Sequence, residues 1–269
     1  MNFVVLPNQI AVLVRDDNKA AALKEKGVDI RIGDYDNKSS LDKAMKGIEK
    51  VLLVSGIAGN VLEQHKNVVD AAKKVGVKCI AYTSNCLKDR NTLLSKTMLS
   101  HFESEDNIIA SGLQYTIFRN VLYMDSLAMF ILGGKKVLDL GISLPASDGC
   151  VSYALRSDEA EAIGNVLAGN DWTNRIYNFT GSKVYSFYDV GKVLYELSGK
   201  EVSYTPIDIE TYKSKAIAMG VPEHEVEAMT PFMTDIKNGQ GSTVSTDFED
   251  ALGRKPTNLK AGLKLLSDL

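Results

Sequence analysis

The chain has 269 residues, 45% of them hydrophobic, enough for a sizeable core in one large domain or a domain with a smaller appendage. Its 31 basic and 34 acidic residues are interleaved and leave a formal net charge of −3, so no electrostatic footprint for nucleic acid or an anionic membrane surface is expected. Cys79, Cys86 and Cys150 are odd in number and lack metal-ligand spacing, no run of eighteen apolar residues occurs, and the first fifteen residues do not read as a signal peptide. A reducing cytoplasm, with no metal and no membrane span, is the expectation.

Taken in order, residues 10–14 (Ile-Ala-Val-Leu-Val) read as a short buried strand, followed by a polar turn and a helix ending at Lys26-Gly27. Val28–Ile32 reads as the next strand and Ser39–Met45 as a helix stopped by Gly47. Residues 50–54 make another strand, Glu63–Val75 a helix and Val77–Tyr82 a strand. A helix over Thr97–Ala110 then leads through Ser111-Gly112 into a strand at Leu113–Arg119. Alternation of this kind predicts βαβ units and a doubly wound, Rossmann-like, mainly parallel sheet.

After residue 120 the alternation loosens. Val151–Leu155, Ile176–Phe179 and Lys200–Ile207 read as strands, Ser157–Leu167 and Ser186–Leu197 as helices. Residues 208–238 are helical and methionine-rich, and Met219, Val221, Met229, Phe232 and Met233 either line a pocket or pack a core. The division expected is residues 1–150 as a dinucleotide-binding part and 151–269 as a mixed part that completes the sheet and forms a small, mostly helical C-terminal lobe.

One element of such a fold is missing. The first strand of a doubly wound dinucleotide fold lies mid-sheet and feeds a glycine-rich turn that holds the pyrophosphate. Only Pro7-Asn8-Gln9 separates Met1–Leu6 from the strand at 10–14, too little for a parallel crossover, and no GxGxxG occurs in the chain. The two segments can form only a hairpin or a helix end, and Asn2–Leu6 is read as the last turn of a helix, with Pro7 at its exit. Three outcomes are open: strand 10–14 moves against strand 50–54, another segment fills the gap, or the protein starts further upstream.

Asn8–Arg15, Gly33-Asp34-Tyr35, Ala81-Tyr82-Thr83-Ser84, Ser111–Thr116, Arg119–Tyr123 and Leu252–Thr257 together resemble the NmrA-like branch of the atypical short-chain dehydrogenases, a branch that includes NAD(P)H-dependent quinone oxidoreductases. The resemblance runs over essentially the whole chain and departs from the family's pattern at its opening strand and Gly-Ala-Thr-Gly-type turn. It implies NADP(H) as cofactor, although the absent glycine loop opposes its binding. Arg15, at the end of a strand, is placed to pair with a 2′-phosphate; Ser55, Gly56, Thr83, Ser84 and Asn120 are the other cofactor-binding candidates.

The Tyr-x-x-x-Lys pair of general short-chain dehydrogenases is absent. His101, four residues before Glu105 on one helix face, and Tyr123 are the catalytic candidates, His101 because an unperturbed imidazole titrates near neutrality. Arg156 is expected in a structural salt bridge. The implied activity is NADPH-dependent hydride transfer to a small quinone-like acceptor, and a homodimer is compatible with it. The alternatives are a redox-sensing regulator that binds dinucleotide without turnover, and a truncated chain that binds none.

Overall fold

The computed structural model describes residues 5–56, 59–169 and 172–266. Residues 2–4, most of the segment expected to end a helix, lie outside them, and Pro7–Gln9 forms a single 3-10 turn. The chain divides into two compact units. The first comprises residues 1–84, 103–117 and 164–176, and the second 85–102, 118–163 and 177–269.

The first unit opens with strand β1 (Ala11–Val14), helix α1 (Ala21–Lys24), strand β2 (Asp29–Ile32) and helix α2 (Lys38–Ala44). Asn37 starts α2 by accepting the Ser40 N–H on its side chain at 3.0 Å. Gly27 and Gly47, past α1 and α2, take the left-handed conformation expected of helix-terminating glycines. Strand β3 (Lys50–Leu53), helix α3 (Val61–Val75), strand β4 (Cys79–Asn85), helix α4 (Lys96–Ala110) and strand β5 (Gln114–Asn120) follow, and α4, β4 and β5 run on into the second unit. Leu41, Leu53, Val68, Ala72, Ile80, Ile108 and Ile117 form the core of the first unit, with Leu13 and Val51 packed against it. The sheet order is β3-β4-β5-β8, with β8 at Arg175–Phe179, and β3 and β4 run parallel in the register Lys50↔Cys79 to Leu53↔Tyr82.

Strand β1 pairs with β2, parallel, in a sheet of their own. It does not pair with β3, so the first of the three outcomes left open by the sequence is not the one adopted. Among the described residues no strand lies between β1 and β3. Leu52 and Val54 of the β3 segment are correspondingly exposed, as expected of a strand edge without a neighbour.

The second unit contains helices α5 (Met124–Ser126) and α6 (Val137–Leu140), strands β6 (Ile142–Leu144) and β7 (Cys150–Val151), the start of helix α7 (Arg156–Ala168), strand β9 (Tyr185–Ser186), helix α8 (Phe187–Ser198), strand β10 (Tyr204–Pro206), and helices α9 (Ile209–Ala218), α10 (Glu223–Lys237), α11 (Asp247–Leu252) and α12 (Leu259–Leu266). Here β6 pairs with β10 in parallel and β7 with β9 antiparallel.

Two strands are shorter than expected. Of the Val151–Leu155 run only Val151 joins the β7 ladder, because Ser152 directs its N–H to the Gly241 carbonyl at 3.1 Å and its hydroxyl to the Thr243 carbonyl at 2.6 Å. Only Tyr204–Pro206 of the Lys200–Ile207 run is strand, matching the three residues of its partner β6. In the methionine-rich stretch Phe232 and Met233 are core, whereas Met219 and Val221 are exposed.

A Cβ built on Gly181 would overlap the Tyr153 carbonyl oxygen, a backbone atom that cannot swing away. Gly181→Ala is therefore expected to cost about 3 kcal/mol through overpacking, read as a lowered denaturant midpoint with an unchanged m-value.

Candidate active site

In the first unit, the residues at the carboxyl ends of β3 and β4 face the edge at which open α/β sheets bind ligands. The Ser55 N–H donates to the Thr83 hydroxyl oxygen at 2.9 Å, and the Thr83 hydroxyl donates to Ser55 Oγ at 3.2 Å. Two of the expected cofactor residues are thus joined and fix each other. Ser84 is buried and turns inward, its hydroxyl donating to Glu105 Oε1 of α4 at 2.5 Å.

Gly56 follows Ser55. A Cβ there would meet only Gln64 Oε1 at 3.8 Å and Val61 Cγ2 at 3.9 Å, ordinary contacts, so packing among the described residues does not require glycine at this position. Its backbone N–H donates to His65 Nε2 at 3.4 Å, which places the imidazole proton on Nδ1, 2.8 Å from Ser104 Oγ.

His65, only 2% exposed, thereby ties the loop after β3 to α4. It was not among the expected site residues. The signal was present, since His65 lies one turn after Val61 and one turn before Val68 and Val69 on the buried face of α3. Ser104 also bonds to Tyr82, whose phenol burial pushes above its ordinary value against that bond.

The Gly33–Tyr35 loop is anchored to the same helix. Asn67 Nδ2 donates to the Tyr35 carbonyl at 3.0 Å, while Asn60 and Gln64 donate to the two carboxylate oxygens of Asp36 at 2.6 and 2.8 Å. Arg15, just past β1, is solvent-exposed, and its guanidinium makes no hydrogen bond or ion pair among the described residues.

In the second unit, β5 delivers Asn120 at its end, and Asn120 Nδ2 donates to Tyr123 Oη at 3.2 Å. The Asn120 side-chain carbonyl oxygen is buried and has no partner. Tyr123 is seated by a parallel bridge to Ala154, and the Arg156 guanidinium lies over its ring, 4.8 Å from the centroid.

Arg156 therefore makes a cation–π contact in place of the expected salt bridge, and its backbone N–H donates to Asp125 Oδ2 at 3.0 Å. Burial, and next the carboxyl of Glu159, push the Tyr123 phenol above its ordinary value. Burial acts oppositely on His101 and lowers its pKa to about 4. His101 is neutral at physiological pH and is not the near-neutral acid that its residue type suggests. Among the described residues no group of three His, Cys, Asp or Glu side chains is arranged to hold a metal ion, and no helix is long and apolar enough to cross a membrane.

The model of the NmrA-like family matches residues 6–266. The chain belongs to the NmrA-like family. Among its relatives, quinone oxidoreductase 2 of Escherichia coli strain K12 is 32% identical over 218 residues, covering 80% of this chain and 74% of that protein. An NAD(P)H azoreductase of Xenophilus azovorans is 26% identical, covering 81% and 75% of the two chains. The structure of the Citrobacter sp. triphenylmethane reductase complexed with NADP(H) superposes with a TM-score of 0.91 at 32% identity, covering 97% of this chain and 92% of that one. The NmrA-like fold places Ser55, Gly56, Thr83 and Ser84 at strand ends in the first unit, and Asn120 and Tyr123 at a strand end in the second.

Proposed function

We propose that this NmrA-like protein is an NADPH-dependent reductase of small conjugated acceptors, quinones first among them. The observation that carries the reading is the Asn120–Tyr123 pair, a phenol held protonated by burial and oriented by an amide at the carboxyl end of a strand. The three relatives support it, because each is named as a reductase or oxidoreductase, of a quinone, an azo compound or a triphenylmethane dye.

The residues present fit the cofactor in part. Arg15 offers an unengaged cation to a 2′-phosphate, and the lack of a side chain at Gly56 would let a ribose of the cofactor come close to the backbone there. Ser55 and Thr83 hold that stretch in place. The buried, unpartnered Asn120 carbonyl oxygen is an acceptor available to a ligand N–H such as a carboxamide. No GxGxxG turn for the pyrophosphate occurs in the residues given.

NADPH, when bound, supplies the hydride. The protein's own part is to hold the acceptor oxygen against the Tyr123 hydroxyl, which donates the proton the reduced oxygen needs while its own oxygen accepts from Asn120 Nδ2.

The test is consumption of NADPH by the purified chain with a simple benzoquinone, an azo dye and a triphenylmethane dye, alongside calorimetric titration with NADPH. Turnover with the quinone is expected. Arg15→Glu is expected to weaken NADPH binding about tenfold or more while leaving NADH nearly unchanged. Binding without oxidation of NADPH by any acceptor would replace this reading with a redox-sensing regulator, and no binding at all would leave a chain unable to use the dinucleotide.

A further inference from the structure

Glu159, in the first turn of α7, is 1% exposed, and neither of its carboxylate oxygens has a hydrogen-bond partner. The nearby cations are committed elsewhere. Arg156, three residues earlier, lies over the Tyr123 ring, and Arg254 is bound by Asp158 and Glu161. Of the remaining charged groups that act on Glu159, Asp125 of α5 and Asp158 of α7 are acidic, and both oppose ionisation. Arg156 and the nearby backbone N–H of Val121 favour it. An isolated ionised carboxylate in such a place is costly enough that the group keeps its proton instead.

The same carboxyl acts on Tyr123, whose hydroxyl is held by Asn120. We propose that Glu159 is held in the folded protein as a neutral carboxylic acid and, by carrying no charge that would draw on Arg156, leaves that guanidinium on the Tyr123 ring and so is a positioning residue for the Asn120–Tyr123 pair. A negative charge at this position would strengthen the phenol's hold on its proton and oppose donation. It would also draw the Arg156 guanidinium off the Tyr123 ring. Ionisation of Glu159 thus switches the pair from competent to incompetent, giving the reaction an upper pH limit that neither His101, neutral above about pH 4, nor Tyr123 itself sets.

The sign follows from linkage. Desolvation first, and then Asp125, raise the Glu159 pKa well above the ordinary glutamate value, so the folded state binds this proton more tightly than the unfolded chain does. Its contribution to stability is most favourable below the unfolded value and declines as pH rises towards the folded one.

The inference rests on the proposed role of Tyr123, and the experiment separates the two. Glu159→Gln keeps the shape of the neutral acid and cannot ionise. Thermal unfolding of wild type and E159Q is compared across the mildly acidic to mildly alkaline range, with the pH profile of kcat for quinone reduction by NADPH.

Similar melting temperatures on the acidic side, with wild type falling progressively below E159Q as pH rises, are expected. For activity, a wild-type kcat that declines at least about tenfold on the alkaline side is expected, with an E159Q profile that stays flat and within about threefold of wild type at low pH. A melting difference independent of pH, or E159Q melting lower on the alkaline side, would overturn the neutral acid. A melting difference of the expected sign with the same alkaline decline of kcat in both proteins would overturn the positioning role. Full activity of Tyr123→Phe, with the melting behaviour as expected, would instead remove Tyr123 from the mechanism and leave the protonated Glu159 standing.

Discussion

Tyr123→Phe is expected to lower kcat for the proposed quinone reduction about a hundredfold, the scale of a lost general acid, and to leave the KM for NADPH within a small factor. Phe keeps the ring under Arg156 and loses only the hydroxyl that Asn120 holds, so the change falls on the chemical step and not on folding. Because burial raises the phenol above its ordinary value, Tyr123 remains protonated across the working range and adds no alkaline limb to the profile. His101→Phe serves as the contrast. Its imidazole is already neutral, with a pKa of about 4, and kcat is expected to change by less than about threefold if it takes no part in proton transfer. Steady-state rates with saturating NADPH and varied quinone distinguish the two. A hundredfold loss in H101F with an active Y123F would exchange their roles.

Arg254→Ala is expected to cost about 2 kcal/mol of stability. Arg254 Nη2 lies 3.0 Å from Asp158 Oδ1 and 2.7 Å from Glu161 Oε2, and the Thr257 N–H donates to Asp158 Oδ2 at 2.7 Å. Asp158 is buried while Arg254 is about half exposed. Removing the arginine strands a buried carboxylate, for which breaking a fully buried pair costs 3–5 kcal/mol, and the exposed side of this pair reduces that figure.

The pH dependence is opposite to that of Glu159. Burial raises the Asp158 pKa, but the hydrogen bonds from Arg254 and Thr257 outweigh it and hold the carboxyl below its ordinary value. Asp158 therefore contributes stability above the unfolded carboxylate value that is lost as pH falls through the lowered one. The difference in unfolding free energy between wild type and R254A should shrink on acidification, as read from denaturant midpoints. A constant difference would mean that Arg254 acts through packing of its stem.

Much of this architecture is legible in the chain. The apolar runs at 10–14 and 50–54 and the glycines at 27 and 47 place β1, β3 and the ends of the first helical turns within a residue or two. Those signals are local, and so they survive without knowledge of the fold.

What the chain does not announce depends on distant partners. Strand β6 is three residues long and exists because β10 lies beside it. The run after Cys150 leaves its ladder because loop carbonyls at Gly241 and Thr243 take its hydrogen bonds. Within the candidate site, residue type alone pointed to His101 as an acid, and residue type does not reveal the burial that lowers its pKa to about 4. The same reasoning passed over His65 and Glu159, although both interrupt apolar helical faces, His65 after Val61 and Glu159 between Leu155 and Ile163. A polar residue at a core position is a stronger signal than its type.

The separation of β1–β2 from the β3-β4-β5-β8 sheet bears on how copies of this chain meet one another. Among the described residues, each of β1 and β3 carries a row of backbone donors and acceptors along one side without a strand partner, and Leu52 and Val54 of the β3 segment are exposed beside it. Such edges are templates for any extended apolar segment, and the most abundant one in a refolding mixture is another molecule of the same protein. Recovery of native protein after dilution from denaturant should therefore fall as protein concentration rises, with the losses traced to intermolecular strand pairing at these two edges.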